Sequence, residues 1–180
     1  MKILDYLARS DLGAYMDYKK FYDSFSAPFR PYAKLIVFLS NSITSITALA
    51  YIAAIAYAFF KLRWSYEGVF YKLLLIPALT FLLVTILRKI ISRKRPYVAY
   101  EIKAFVAKPK ERESFPSRHT VSIAIIASAC LNVSLILGLI LWILALFLGL
   151  FRVICGLHYP SDVICAYLIA ILASMIYIWL

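Results

Sequence analysis

Residues 119–151 read HTVSIAIIASACLNVSLILGLILWILALFLGLF, and these 33 positions contain no Asp, Glu, Lys or Arg. One helix of that length would measure about 50 Å, which is too long for a single crossing of a hydrocarbon core of about 30 Å. A polar interruption, Leu131-Asn132-Val133-Ser134, lies well inside the block. We therefore predict two membrane helices that are joined by a tight turn at residues 131–134.

Three further apolar stretches flank this block. Residues 35–60 carry no charged side chain and are bracketed by Lys34 and Lys61, which can reach the lipid headgroups. Residues 69–87 and 163–180 are also strongly apolar. Together with the two helices of the central block, these stretches predict an all-α integral membrane protein with a bundle of five transmembrane helices.

Residues 1–32 carry too many charged side chains to cross a bilayer. Apolar and aromatic residues nevertheless recur there every three to five positions, at Leu4, Leu7, Leu12, Tyr15, Tyr18, Tyr22 and Phe25. This stripe predicts an N-terminal amphipathic helix that lies in the membrane interface. A helix packed on the end of the bundle fits the same pattern equally well.

The composition supports a membrane protein and excludes several other classes. Of the 180 residues, 64% are hydrophobic and only 16% are charged, whereas a soluble domain is about half apolar and a quarter charged. These values exclude a disordered chain, a secreted disulfide scaffold and a free soluble enzyme. The three cysteines lie in apolar stretches and indicate core packing. The length fits a single domain over residues 1–180.

The net charge of +11 is distributed unevenly across the predicted membrane. Of the 20 Lys and Arg residues, 17 fall on the side that holds residues 1–34, 88–118 and Arg152. The positive-inside tendency places that side in the cytoplasm, so we expect a multi-pass protein of the cell membrane. The charge favours anionic lipid, or a phosphate-bearing lipid substrate, over nucleic acid as the partner.

Three polar clusters lie at the ends of predicted helices on this crowded side. They are residues 88–96 (RKIISRKRP), 114–120 (SFPSRHT) and 152–162 (RVICGLHYPSD), and they hold both histidines of the chain. Guanidinium groups match tetrahedral oxyanions such as phosphate, and the helix that starts in the second cluster offers N–H groups to the same anion. The clusters therefore predict a phosphate site within a motif-bearing core at residues 88–162.

The two histidines have neighbours that suit phosphoryl transfer. His158 and Asp162 are four residues apart, and a carboxylate one helical turn away can fix the tautomer of an imidazole and raise its nucleophilicity. His119 opens the third predicted span, where it can act as a general acid for a leaving oxygen. These pairings predict phosphoryl transfer through a covalent intermediate.

Each of these features also has a simpler interpretation. The basic run at 88–95 can anchor the chain to anionic lipid, His119 can cap a helix, and His158 and Asp162 can form a structural pair. Two histidines and one aspartate could also bind zinc or iron. Nearby arginines argue against a metal because they repel a cation and attract an anion.

At this point the sequence resembles the type 2 phosphatidic acid phosphatase family, which shares its site with vanadium haloperoxidases. The pattern of that family is K-x6-R-P, then P-S-G-H, then S-R-x5-H-x3-D. The corresponding residues of this chain are Arg88-x6-Arg95-Pro96, Pro116-Ser117-Arg118-His119 and Phe151-Arg152-x5-His158-x3-Asp162. The three motifs occur in order and with their internal spacing intact.

The resemblance implies a role for each matching residue. His158 would be the nucleophile that becomes phosphohistidine, Asp162 would orient it, and His119 would protonate the leaving group. The phosphate would be held by Arg88, Arg95, Ser117 and Arg152, with help from the backbone N–H of Arg118. No metal and no other cofactor would be needed.

Three positions depart from the family pattern. Arg88 stands where the family has Lys, and Lys89 is an alternative for that first cationic position. Arg118 replaces a glycine, and Phe151 replaces a serine. None of these departures removes a catalytic group, so we expect activity.

The resemblance implies a membrane phosphatase that hydrolyses the phosphomonoester or diphosphate headgroup of a lipid. A cytoplasmic site favours phosphatidylglycerophosphate or phosphatidate, whereas an outward-facing site would favour undecaprenyl diphosphate. A non-catalytic lipid-binding scaffold with the same residues is the alternative of another class.

Overall fold

The computed structural model describes residues 16–62, 67–106 and 110–176, and within these ranges the chain forms helices and no strand. Helix α1 is described over residues 16–26, and a 3-10 turn at Ala27–Tyr32 joins it to α2. The remaining helices are α2 (Ala33–Tyr57), which continues as a π-helix at Ala58–Leu62, α3 (Glu67–Ile91), α4 (Pro96–Ala99), α5 (Arg118–Leu131), α6 (Leu135–Ile154) and α7 (Pro160–Ser174).

Three of the described helical segments are long and apolar enough to cross a membrane. They are Met16–Lys61 with 46 residues, Phe70–Ala99 with 30 and Leu135–Ile154 with 20. Helices α5 and α7 have only 14 and 15 residues, which corresponds to about 21 and 22 Å. The chain is therefore an all-helical membrane protein with three candidate spans, and the count of five crossings stays a prediction.

The predicted turn inside the uncharged block is confirmed. Helix α5 ends at Leu131 and α6 begins at Leu135, so the break falls at the polar positions of the sequence. The N–H of Ser134 donates to the carbonyl of Cys130 at 2.9 Å, and the Ser134 hydroxyl accepts from the N–H of Leu137 at the start of α6. A serine in this position satisfies one of the free donors at a helix N-terminus.

Helix α5 forms the centre of the bundle and packs against α2, α3, α6 and α7. Nine of its 14 residues are buried, among them the small residues Ala124, Ala127 and Ala129, which allow neighbouring helices to approach closely. The outer faces of α2, α3 and α6 expose many Leu, Ile and Phe side chains. This distribution suits a bundle that is surrounded by lipid.

The N-terminal prediction falls partly outside the described residues, because residues 1–15 are not among them. The described part, α1, packs on the end of the bundle, which is the second of the two interpretations of its stripe. Tyr22 and Ser26 are buried there, and they donate hydrogen bonds to the carbonyls of His158, which follows α6, and of Ile154, the last residue of α6. Met16 and Phe21 of α1 remain exposed.

Candidate active site

The C-terminal end of α3 supplies the first group of cations. Arg88 lies in the last turn of this helix, where the helix dipole favours positive charge, and its Nη1 donates to the carbonyl of Pro116 at 2.7 Å. Arg95 lies just before α4, and its backbone N–H donates to the carbonyl of Glu111 at 3.0 Å. Both guanidinium groups are buried. The first and second sequence motifs are thus in direct contact.

The loop before α5 joins the second motif to the third. The backbone N–H of Ser117 donates to the carbonyl of Asp162 at 3.1 Å, which ties the start of α5 to the start of α7. Ser117 is buried at the N-cap position of α5, and its hydroxyl lies 2.9 Å from that of Thr120. His119 follows in the first turn of α5 and is half-buried.

A tight turn at the end of α6 places the third motif. The carbonyl of Arg152 accepts hydrogen bonds from the N–H groups of Leu157 and His158, at 3.1 and 3.3 Å. Gly156 makes this turn possible because its φ of +69° is strained for residues with a side chain. Arg152 is buried and close enough to Arg95 for their charges to interact.

His158 is almost completely buried, at 2% exposure. Its Nδ1 lies 2.8 Å from the carbonyl oxygen of Ser114 and 3.5 Å from Oδ2 of Asp162. A carbonyl accepts only, so Nδ1 carries the proton and Nε2 keeps its lone pair. Burial, helped by the charges of Arg95 and Arg88 and opposed by Asp162, lowers the pKa of His158 to about 4. A pKa this low favours the neutral imidazole at pH 7.

Asp162 is fully buried and is held by groups from three parts of the chain. Its Oδ1 accepts from Nη1 of Arg93 at 2.7 Å, and its Oδ2 accepts from the hydroxyl of Ser114 and, at 3.0 Å, from the N–H of Tyr159. The expected contact with His158 is present, but the carbonyl of Ser114 is the nearer partner of Nδ1. Asp162 also caps its own helix through the N–H of Tyr159.

Two residues at this centre were not among the predicted site residues. Arg93 lies within the basic cluster at 88–96. A buried carboxylate such as Asp162 requires a cation or several hydrogen-bond donors, and this requirement pointed to an arginine of that cluster. Ser114 gave no such signal for its contact with His158, because that contact uses a backbone carbonyl that any residue would supply. Arg93 also stacks on the ring of Tyr159 at 3.7 Å.

Arg118 occupies the position at which the family pattern has glycine. Its guanidinium lies 5.5 Å from the ring centroid of Phe81 on α3, so the side chain extends along α3. It is near enough to Arg88 and Arg95 to add to the positive field of the site. The larger side chain is thus accommodated beside α3 and contributes a further cation.

The arrangement carries an excess of buried positive charge. The Nε atoms of Arg88 and Arg152 have no hydrogen-bond partner among the residues that the structure describes. Asp162 is the buried carboxylate of the cluster, and Arg93 pairs with it. Because buried guanidinium groups are costly without an anionic partner, the cluster suits a bound oxyanion.

A metal site needs several His, Cys, Asp or Glu side chains gathered around one point. Within residues 16–62, 67–106 and 110–176, no group of three or more His, Cys, Asp and Glu side chains is arranged to hold a metal ion. The two histidines and Asp162 do not form such a group. The expectation of a metal-free reaction stays a prediction.

Comparison with known proteins adds two findings. A family model described as the PAP2 superfamily matches residues 69–180, which is more than half of the chain and includes all three motifs. The fold is also similar to two solved structures. LpxE from Aquifex aeolicus has a TM-score of 0.56 and 24% identity, over 82% of this chain and 94% of that one. The first transmembrane PAP2-type phosphatidylglycerolphosphate phosphatase from Bacillus subtilis has a TM-score of 0.55 and 20% identity, over 90% and 92%.

Proposed function

The chain belongs to the PAP2 superfamily, and from this premise we propose that it hydrolyses the phosphate headgroup of a membrane lipid through a phosphohistidine at His158. The observation that carries the proposal is a buried imidazole whose Nδ1 lies 2.8 Å from the carbonyl oxygen of Ser114, a partner that can only accept. This leaves Nε2 available for attack in a site that also holds the buried guanidinium groups of Arg88, Arg95 and Arg152.

The reaction would proceed in two displacements. In the first, Nε2 of His158 attacks phosphorus, the bond from phosphorus to the lipid oxygen breaks, and His119 donates a proton to that oxygen. In the second, water attacks the phosphohistidine while His119 accepts a proton, and the P–N bond breaks to release phosphate. Arg88, Arg95 and Arg152 would stabilise the charge on the transferring phosphoryl oxygens, with Ser117 and the N–H of Arg118 as further donors.

Asp162 acts in this proposal as a positioning residue. It holds Ser114 through its Oδ2, and the carbonyl of Ser114 holds Nδ1 of His158. Arg93 in turn fixes Asp162. The tautomer of the nucleophile would therefore depend on a short chain of contacts, in addition to the 3.5 Å approach between Asp162 and His158.

A cleft between α3 and α7 supports entry of the lipid chains from the bilayer. It encloses about 750 Å³, and its lining includes Leu75, Leu79, Leu83, Ile169 and Leu172. Leu83 precedes Arg88 by five residues, or about 7.5 Å along α3, so the cleft ends close to the phosphate site. An acyl or prenyl chain in this cleft would place its headgroup near the arginines.

We further propose that residues 1–180 form one domain with five crossings, of which α5 and α7 are the two short ones. Helix α1 lies at the same end as His158, so the N-terminal segment and the site would share one face. With 17 of the 20 Lys and Arg residues on that face, it would be cytoplasmic. Protease cleavage of the 97–113 loop in sealed vesicles of known orientation would test this assignment, and cleavage from the outside only would overturn it.

The substrate we would test first is phosphatidylglycerophosphate, because the Bacillus structure of similar fold is named for that lipid and a cytoplasmic site suits it. Phosphatidate is the closest monoester alternative. Undecaprenyl diphosphate would become the better candidate if the 97–113 loop were accessible from the outside.

Release of inorganic phosphate by the purified protein from these three lipids, with EDTA present, tests the proposal. Wild-type protein should turn over at least one lipid, whereas His158→Ala and His119→Ala should not. Lys94→Ala is a matched control, because Lys94 is an exposed residue of the same basic run. Lipid binding without any phosphate release would favour the non-catalytic scaffold, and loss of activity on chelation would contradict the metal-free mechanism.

A further inference from the structure

Helix α1 lies outside the residues matched by the family, yet it contacts the segment that carries the nucleophile. Three of its residues, Tyr18, Tyr22 and Ser26, follow one another at intervals of four. Residues with this spacing project from the same face of a helix. In this chain that face is directed at the backbone between α6 and α7.

Two of these residues hold the two ends of the short segment that leads to the nucleophile. The hydroxyl of Tyr22 donates to the carbonyl of His158 at 2.9 Å, and the hydroxyl of Ser26 donates to the carbonyl of Ile154 at 2.8 Å. Gly156, with its positive φ, lies between the two acceptors. The glycine of the turn is thus bracketed by hydrogen bonds from α1.

The third residue, Tyr18, belongs to a cluster of aromatic rings that packs around Tyr159. The ring of Tyr18 stacks on Tyr100 with the centroids 5.3 Å apart. Both rings pack against Tyr159 in T-shaped arrangements, with the centroids 6.1 Å apart. Arg93 covers Tyr159 as well. Tyr159 directly follows His158, so this packing restrains the nucleophile from its C-terminal side.

We propose that α1 is a positioning element of the active site, in which Tyr22 and Ser26 fix the backbone of His158 so that Nε2 stays aligned with phosphorus. The inference rests on the proposed function. Tyr22 is completely buried, and a buried phenol requires a hydrogen-bond partner for its hydroxyl. The carbonyl of His158 is that partner. Small displacements of a reacting group are costly, since about 1 Å can lower a rate about 100-fold.

The test compares Tyr22→Phe, Ser26→Ala and the double variant with wild-type full-length protein. Tyr22→Phe removes one oxygen atom and keeps the ring, so the fold should persist. We expect kcat to fall about 10- to 100-fold, while KM for the lipid and the inhibition constant of inorganic phosphate change less than about twofold. The binding constants should persist because the arginines that hold the phosphate are untouched.

Tyr32→Phe is the matched control, because Tyr32 is 60% exposed and lies in the turn that follows α1. It should leave kcat unchanged. Amide hydrogen exchange provides a second measurement, and residues 154–159 should exchange faster in Tyr22→Phe than in the control. An unchanged kcat with unchanged exchange would overturn the inference, and so would equal losses in kcat and phosphate binding.

Failure of the proposed function would be distinguishable from failure of this inference. Wild-type protein that releases no phosphate from any of the three lipids would remove the proposed function, and the positioning role would fall with it. Active wild-type protein combined with a fully active double variant would remove only the positioning role of α1.

Discussion

Replacement of Arg93 by Ala should destabilise the protein and slow the reaction, because it leaves the buried carboxylate of Asp162 without its cation. The pair is separated by 2.7 Å, with Arg93 35% exposed and Asp162 fully buried. Loss of one partner of a buried pair costs about 3–5 kcal/mol, whereas an exposed pair contributes about 0–1 kcal/mol. Since Arg93 is about one-third exposed and Asp162 keeps Ser114 and Tyr159 as donors, we expect about 2 kcal/mol.

Thermal unfolding in detergent, followed by tryptophan fluorescence, measures this loss. For a chain of this size about 2 kcal/mol corresponds to a fall in Tm of about 4–8 °C. Arg93→Lys should lie between Arg93→Ala and wild type, because lysine keeps the charge and loses the planar fork. Lys94→Ala, one residue along, should leave Tm unchanged.

The same variants should differ in activity. With Arg93 absent, Asp162 and Ser114 no longer hold one arrangement, so kcat of Arg93→Ala should fall about tenfold, in line with the displacement of a positioned group. A Tm and a kcat for Arg93→Ala that both equal those of Lys94→Ala would refute this reasoning, since Asp162 would then need no cation.

Three further predictions follow from other parts of the molecule. After correction for the second ionisation of the substrate phosphate at about pH 6, the acid limb of kcat/KM should lie near pH 4 and not near 6.5, because His158 has a lowered pKa and keeps its lone pair until the pH falls through about 4. A remaining limb at 6.5 in the corrected pH-rate profile would contradict this. Arg88→Lys should retain activity within about tenfold, whereas Arg88→Ala should lose about 100-fold or more, since one donor to a transition-state oxyanion is worth about that much. Steady-state phosphate release measures both variants. Equal losses in the two would show that a positive charge at this position is not sufficient. Leu79→Trp should fill part of the α3–α7 cleft and lower kcat/KM for a long-chain lipid but not for a short soluble phosphate ester. Leu139→Trp on the exposed face of α6 is its control, and equal effects of the two tryptophans on the long-chain lipid would argue against the cleft.

Local patterns predicted the parts of the fold that depend on local chemistry. The turn at Leu131–Ser134 was predictable because an apolar block of 33 residues is too long for one crossing, and the polar residues at 131–134 mark the place where the chain can turn. The number of crossings was harder, because a short helix buried among other helices and a membrane span are both apolar on every side. Helix α5 is the clearest example, since the lack of charged residues after Arg118 reflects its central position as much as its contact with lipid.

The contacts around His158 were the least predictable part of the candidate site. The order and spacing of the motifs led to His158 and Asp162, but the carbonyl of Ser114 is bonded across 44 positions of sequence. Tyr22 reaches the carbonyl of His158 across 136 positions. Every residue has a backbone carbonyl, so the residue type does not indicate which carbonyl accepts a hydrogen bond. Such contacts depend on how the helices pack and cannot be found from composition or spacing.

The turn between α5 and α6 has a practical consequence for experiments on this protein. Helix α5 begins beside the site and ends about 21 Å away, so Asn132 and Ser134 are exposed at the remote end of the bundle. Exposed turns tolerate insertions better than packed segments do. A soluble fusion partner or an antibody epitope inserted there would enlarge the particle for cryo-electron microscopy and leave the chemistry undisturbed.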